Sequence, residues 1–165
     1  MNCFGREEFT RVVGPVFEHS PWIAGSTWAK RPFASLDALH RALCETVRLA
    51  GESRQLDLIR AHPDLVGRAT LAGVLTPAST GEQASAGLDH LSPEEIALFQ
   101  KYNAEYREKF GFPFVICARL NKKEAILSGF AARLRHSRAQ EIETALVEIG
   151  KIAWLRLQDL VKSDG

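Results

Sequence analysis

The sequence has little cysteine, and the cysteines it has form no recognisable pattern. Its 165 residues include three, Cys3, Cys44 and Cys117, with no CxxC spacing. An odd, scattered set argues against a disulfide framework and a zinc ribbon, and it fits a reducing compartment. We therefore expect a cytoplasmic protein without structural disulfides.

Long apolar runs are also missing. Residues 1–6 contain no apolar signal core, and no run approaches the roughly 18 apolar residues that span a bilayer. The last residues, 162–165, do not form a peroxisomal address. These observations predict a soluble protein of the cytoplasm with no membrane association.

The chain carries no excess of one charge. It has 21 Lys and Arg against 20 Asp and Glu, a formal net charge of +1, and no block of like charges. Nucleic-acid binding driven by bulk charge is therefore disfavoured. HExxH, GxGxxG, P-loop and Cys/His cluster motifs are absent, so the sequence indicates no metal and no nucleotide cofactor. The expected partner is a small molecule.

Helical spacing dominates what is present. Apolar residues from Phe9 to Phe17 recur at i, i+3, i+4 and i+7, as on one face of an opening helix. Capping signals predict further helices, and Gly111 is a predicted helix end. The predicted N-caps are Ser35, Ser92, Asn121 and Ser137. We expect one domain over residues 1–165, an all-α bundle of roughly seven to nine helices.

Two stretches depart from this helical pattern. Residues 112–118 alone read as extended, and a single strand cannot form a sheet. Residues 63–91 are richest in Gly, Ser, Thr and Ala, so a loop-rich functional region is expected there.

His62 is the first candidate for chemistry. Leu56, Ile59 and His62 share a helix face, and Pro63 is expected to end that helix just behind the imidazole. A histidine held in this way has few rotamers and titrates near neutrality, which suits proton transfer. Spacing alone favours the alternative, a half-buried histidine that caps the helix C-terminus. The remaining histidines are expected to face solvent: His19, His40, His90 and His136.

Glu82 and Gln83 are the second candidate, within the small-residue run 79–88. Small neighbours let a ligand approach the backbone closely. Glu82 could orient a histidine or press a negative charge against a substrate carboxylate. The alternative is a solvated pair in the first turn of a short helix, and without other information it is preferred.

Arg156 is the third candidate, because it interrupts the predicted inward stripe of the last helix. Apolar residues from Ile142 to Leu160 recur there at steps of four and three. Arginine is almost never fully buried unless it is paired. Either Arg156 meets a buried carboxylate or it lines a pocket and contacts a ligand. We favour both over a side chain that merely extends to water.

The segment 114–118 is the fourth candidate. With no sheet to join, its backbone groups need partners, which a planar ligand rich in ureido and imide groups could supply. Pairing with another loop is the alternative. Cys117 could in principle act as a nucleophile, but a buried thiol with apolar neighbours is usually inert.

Taken together, these segments resemble one family, the 2-oxo-4-hydroxy-4-carboxy-5-ureidoimidazoline (OHCU) decarboxylases. Each run is weak evidence alone, but the ordered set covers nearly the whole chain and is highly specific. The matching runs are residues 17–22, 31–33, 58–67, 75–76, 79, 82–83, 86–89, 110–117, 151–153 and 155–157.

The resemblance implies an all-α fold, usually a homodimer, and conversion of OHCU to (S)-allantoin without metal or cofactor. By motif position, His62 is similar to the family's proton donor, Glu82 to the carboxylate paired with it, and Arg156 to a basic, substrate-binding group on the last helix. A shared, water-poor cavity for these three side chains is expected. The other residues similar to substrate contacts are Pro63, Ser79, Thr80, Gly81, Gln83, Phe114, Val115, Ile116, Cys117 and Ala118.

Two other classes of function are kept as alternatives. The first is a non-catalytic helical module that binds a ligand or a protein partner with the same pocket. The second is a hydrolase of a related ureide, in which Cys117 or an activated water attacks.

Overall fold

The fold is all-α over the residues that the computed structural model describes, 1–67 and 72–163. This part of the chain forms eight α-helices and no strand, as predicted. Short 3-10 turns cover Gly14–Val16, Trp28–Lys30 and Ala118–Leu120. The helices are α1 (Arg6–Val13), α2 (Trp22–Thr27), α3 (Leu36–Leu49), α4 (Glu52–Arg60), α5 (Pro77–Ser85), α6 (Pro93–Phe110), α7 (Lys123–Arg133) and α8 (Arg138–Ser163).

Side-chain caps mark the starts of α3, α5, α6 and α8. The Ser35 hydroxyl accepts a hydrogen bond from the backbone N–H of Ala38. Ser92 and Glu95 form a reciprocal capping box at the start of α6, and α6 ends at Gly111 with φ 77°. These predicted boundaries are confirmed, because each depends on a few adjacent residues rather than on distant packing.

Two predicted boundaries are wrong. The opening helix ends at Val13, because Gly14 and Pro15 turn the chain into a 3-10 turn before Phe17. Helix α7 has Lys122 at its N-cap rather than Asn121. The Asn121 side chain instead donates to the Cys117 carbonyl at 2.9 Å, a local bond that competes with capping.

The chain divides into two compact units, and residues 1–61 with 149–165 form the first. Helices α1, α2 and α3 pack together there around the fully buried side chains of Phe9, Val13, Ile23 and Leu43. His40 belongs to this unit and is half-buried, with Nε2 2.8 Å from the Gly150 carbonyl oxygen. The expectation that His40 faces solvent was therefore wrong.

The second unit consists of residues 62–148 and has an aromatic core. The rings of Phe114 and Phe130 stack with centroids 3.8 Å apart, and Tyr106 lies edge-on to both. Each such buried ring contributes about 1.5–3 kcal/mol relative to an exposed one. This core lies directly beside residues 114–118. The single-domain extent 1–165 stays a prediction.

Within residues 1–67 and 72–163, no helix is both long enough and apolar enough to cross a bilayer.

Candidate active site

His62 lies just beyond the end of α4, with Ala61 as the helix C-cap. Its side chain is buried, with 7% of its surface exposed. Pro63 follows it directly and is half-buried. The predicted order of helix end, histidine and proline is therefore present, and His62 is the first residue of the second unit.

The backbone after His62 is held from two helices. The N–H of Val66 donates to the Gln83 side-chain oxygen of α5 at 3.2 Å. The carbonyl of Leu65 accepts from the Asn103 side chain of α6 at 2.7 Å. Val66 has φ 54°, which a β-branched residue rarely adopts, so the loop carries local strain that these bonds offset. The structure thus fixes the loop that bears His62.

Two further contacts restrict this loop. The Arg107 guanidinium donates to both carboxylate oxygens of Asp64, at 3.0 and 3.1 Å. A Cβ added at Gly67 would lie 2.7 Å from the Asp64 Cβ, which is closer than real Cβ contacts. Glycine at position 67 therefore lets the chain turn back against Asp64.

The run 79–83 lies inside helix α5 rather than in a loop. The Thr76 hydroxyl accepts from the N–H of Ser79, and Pro77 occupies the first turn, so α5 begins with standard capping chemistry. Ser79 and Gln83, one turn apart, are buried, and Glu82 is half-buried. The exposed positions of the run are Thr80 and Gly81. Glu82 therefore lies past the first turn of α5, on its partly covered side.

Helix α5 also packs against the 3-10 turn Ala118–Leu120. The Lys122 ammonium donates to the Ser85 carbonyl at the end of α5, at 2.8 Å. Because Gln83 binds the loop of His62, α5 contacts two of the other predicted segments. Three of the four sequence-predicted segments thus lie in the second unit, where α5 contacts the loop of His62 and the turn that begins at Ala118.

Residues 114–118 are buried apart from the half-buried Ile116. The Val115 carbonyl accepts from Nη1 of Arg133 at 2.7 Å. The Cys117 N–H donates to the Glu148 carboxylate at 2.8 Å. Side chains of α7 and α8 therefore provide backbone partners here, a source that sequence reasoning missed. The Cys117 side chain is 1% exposed, as expected of an inert thiol.

Arg133 belongs to a buried charged cluster that the sequence did not reveal. Glu141 has no exposed surface and accepts from the Tyr106 hydroxyl, from Nε of Arg133 at 2.8 Å and from Nδ1 of His136 at 2.8 Å. Burial, and then the hydrogen bond to Glu141, raise the pKa of Tyr106, so the phenol stays protonated. His136 is half-buried in this cluster, so its predicted exposure was wrong, whereas His19 and His90 are exposed as expected.

The spacing of residues along α8 could have indicated that Glu141 and Glu148 are buried. Glu141 and Glu148 lie one turn before and one turn after Ala145 on one buried stripe, whereas the predicted stripe began with Ile142, which is half-buried. Periodicity of apolar residues does not register a buried glutamate, because its charge is read as a mark of the exposed face.

Arg156 lies in the first unit and forms a buried ion pair. Its Nη1 is 2.9 Å from Oε2 of Glu18, and the two residues are 8% and 3% exposed. We predicted that Arg156 meets a buried carboxylate or a ligand rather than water, and the buried carboxylate is confirmed. Contact of Arg156 with a ligand stays a prediction, as do the pairing of His62 with Glu82 and the shared cavity.

The first unit also contains a small hollow of about 120 Å³, and its lining includes none of the predicted site residues. It is lined by Met1, Asn2, Phe33, Ser35, Leu36 and Leu39. Metal ligation finds no support over residues 1–67 and 72–163, where no three His, Cys, Asp or Glu side chains cluster as ligands would.

Comparison with known proteins places the chain among small all-α proteins of one enzyme class. The family model described as OHCU decarboxylase matches residues 2–158. The chain is 45% identical to the OHCU decarboxylase of Halalkalicoccus jeotgali, over 100% of this chain and 92% of the relative. It is 43% identical to that of Amia calva, over 98% and 93%.

The fold is also similar to that of a solved structure. The crystal structure of an (S)-allantoin synthase superposes with a TM-score of 0.74 at 26% identity, covering 95% of this chain. The chain spans 50% of that longer protein. With a family match over nearly its whole length, this chain belongs to the OHCU decarboxylase family.

Proposed function

We propose that this protein decarboxylates OHCU to (S)-allantoin in the degradation of uric acid. The observation that carries the proposal is the family match over residues 2–158, which includes every candidate site segment. Three features of the second unit are proposed to carry out this chemistry. They are the buried His62, the helix α5 with its small residues, and the segment 114–118, whose backbone is bound by Arg133 and Glu148.

The substrate itself can accept the electrons that decarboxylation releases. When the bond to the carboxylate breaks, CO2 leaves and the electron pair forms a C=C bond to the neighbouring ring carbon, whose C=N opens so that its nitrogen takes up a proton. A proton is then added to the neighbouring, ureido-bearing carbon, while the hydroxyl proton is lost and a ring carbonyl forms. Because OHCU carries this electron sink, the protein needs only to orient the substrate, to stabilise the charge that develops on it and to deliver a proton.

His62 is the proposed proton donor to that carbon. Its burial and the fixed backbone at Leu65 and Val66 support this role, because a proton donor must meet one face of the substrate in one orientation. Addition from one side sets the (S) configuration.

Glu82 is proposed to hold His62 in one tautomer and to disfavour a second negative charge in the site. Its support is the position of Gln83, the next residue on α5, which binds the loop of His62. A carboxylate near the departing carboxylate would raise the ground-state energy of the substrate more than that of the neutral product. CO2 loss removes this repulsion.

The backbone of residues 114–118 and Arg156 are proposed to bind the carbonyl and ureido end of OHCU. The buried pair with Glu18 supports this placement of Arg156, because a guanidinium so anchored presents its remaining donors in a fixed direction. An arginine on the leaving carboxylate would stabilise the ground state more than the transition state.

The same proposal includes catalysis without metal or organic cofactor, a homodimer, and a place in the cytoplasm. The free thiols of Cys3, Cys44 and Cys117 support a reducing compartment. The homodimer follows from the family resemblance and is tested by light scattering of the purified protein.

The test is the reaction of freshly prepared OHCU with protein treated with a chelator and dialysed. Circular dichroism should show optically active allantoin appearing much faster than in buffer, together with CO2. Heat-denatured protein is the control. Unchanged decay of OHCU would indicate a binding module, and a ring-opened ureide without CO2 would indicate a hydrolase; either result overturns the proposal.

A further inference from the structure

Two buried side chains of opposite charge bind the backbone of residues 114–118 from helices α7 and α8. Arg133 donates to the Val115 carbonyl at 2.7 Å, and Glu148 accepts from the Cys117 N–H at 2.8 Å. We propose that Arg133, held by Glu141, and Glu148 are positioning residues that fix this segment for substrate binding. The inference rests on the proposed function.

Arg133 is suited to position rather than to contact substrate. The residue is 7% exposed, and its guanidinium lies over the Phe114 ring at 4.2 Å. One edge of the same planar group donates to Glu141 and another to Val115. A guanidinium that bridges a carboxylate and a carbonyl fixes both the distance and the angle between them, which a lysine ammonium cannot reproduce.

The carboxylate behind Arg133 is itself fixed. Glu141 accepts from Tyr106, Arg133 and His136, so its two oxygens are held by three donors on three different elements. An arginine paired to such a carboxylate has little freedom to rotate. The direction of its bond to Val115 is therefore set by the core of the second unit.

Glu148 completes the arrangement by binding a donor where Arg133 binds an acceptor. It is 8% exposed and reaches the N–H of Cys117, two residues after Val115. Hydrogen bonds to charged groups are stronger than those between neutral groups. With a charged partner at each of these two peptide groups, the two peptide planes that flank Ile116 have fixed orientations.

The test compares four variants by two measurements. Arg133→Lys keeps the charge opposite Glu141 but loses the fork, and Glu148→Ala removes the acceptor of Cys117. Glu148→Gln restores an acceptor oxygen and is the rescue, while Glu143→Gln changes an exposed glutamate of the same helix and is the control. The measurements are amide hydrogen exchange over residues 112–118 and the kcat and KM for OHCU.

Arg133→Lys and Glu148→Ala should each speed exchange of these amides and raise KM by roughly tenfold or more, with a smaller change in kcat. Glu148→Gln should recover most of both, and Glu143→Gln should match wild type. If Arg133→Lys does not fold, the Glu148 pair of variants decides the question from the other side.

Unchanged exchange in the variants, or faster exchange with an unchanged KM, overturns the positioning role while wild type still turns over OHCU. A wild-type protein that does not accelerate OHCU loss overturns the proposed function and this inference with it. The two failures are therefore distinguished by the wild-type reaction.

Discussion

Residues 62–67 and residues 114–118 are both irregular segments of the second unit, but different chemical groups hold their backbones. The first is bound by the neutral amides of Gln83 and Asn103. The second is bound by the charged side chains of Arg133 and Glu148.

This difference corresponds to the proposed tasks of the two segments. Neutral amides hold the backbone beside the proposed proton donor, whereas the charged contact of this loop, between Arg107 and Asp64, joins side chains. Charged partners give residues 114–118 stronger bonds, but loss of one partner leaves an uncompensated buried charge. Substitutions that loosen residues 62–67 should therefore lower mainly kcat. Substitutions that loosen residues 114–118 should change both substrate binding and the free energy of unfolding.

The largest expected effect concerns His62. His62→Asn should lower kcat/KM for OHCU by about 10²–10⁴-fold, since it removes the proton donor. Its thermal unfolding should stay close to that of wild type. CO2 release and a melting curve measure the two quantities. His90→Asn, an exposed histidine, is the matched control, and equal activity of the two variants would contradict the assignment.

The next effect concerns the buried pair of Arg133 and Glu141. Arg133→Met should reduce the free energy of unfolding by about 3–5 kcal/mol, because Glu141 would keep a buried charge without its cation. Urea titration measures this loss. Arg135→Met, at an exposed position, should change stability little. A loss below 1 kcal/mol for Arg133→Met would show, by the usual range for exposed pairs, that the pair behaves as if solvated.

A substitution at Arg156, in the first unit, tests whether this residue binds substrate, stabilises the fold, or does both. Arg156→Met should raise KM for OHCU by roughly tenfold and also destabilise the fold, since Glu18 loses its partner. Steady-state kinetics and urea titration are both needed. A variant with lower stability but an unchanged KM would make Arg156 a structural residue alone.

A smaller loss of stability and activity is expected when a neutral amide that binds the backbone of residues 62–67 is removed. Asn103→Leu should cost about 1–3 kcal/mol of unfolding free energy, because the buried Leu65 carbonyl loses its donor. It should lower kcat as well, since the loop of His62 loosens. Gln100→Leu, one turn earlier on the exposed side of α6, is the control. A change in stability without a change in kcat would separate the loop from catalysis.

The smallest effect should come from the Asp64–Arg107 pair, whose side chains are 24% and 48% exposed. Asp64→Asn should cost only about 0.2–1 kcal/mol, and the cost should shrink at high salt. Urea titrations at two salt concentrations check both statements. A salt-independent loss above 2 kcal/mol would indicate that this pair is more than a surface contact.

The sequence predicts local features of this fold well because local chemistry determines them. The caps at Ser35, Ser92 and Ser137 depend on residues within one turn, and all three are present. His62 is found beyond a helix end for the same reason, since Pro63 acts on its immediate neighbours.

Long-range partners are not predicted in this way. Whether a glutamate on α8 is buried depends on side chains far away in sequence, as Glu141 and Tyr106, 35 residues apart, show. Arg156 was detectable because it interrupts an apolar stripe, but its carboxylate, Glu18, is 138 residues away. The partner of a buried charge therefore needs coordinates.

The enantiomeric composition of the allantoin formed by wild type and by His62→Asn tests most directly whether this imidazole delivers the proton. Chiral chromatography at matched protein concentration should give the (S) form alone for wild type. His62→Asn should give the mixture of both forms that spontaneous decay in buffer gives. A single (S) product from His62→Asn, at the wild-type rate, would contradict this account.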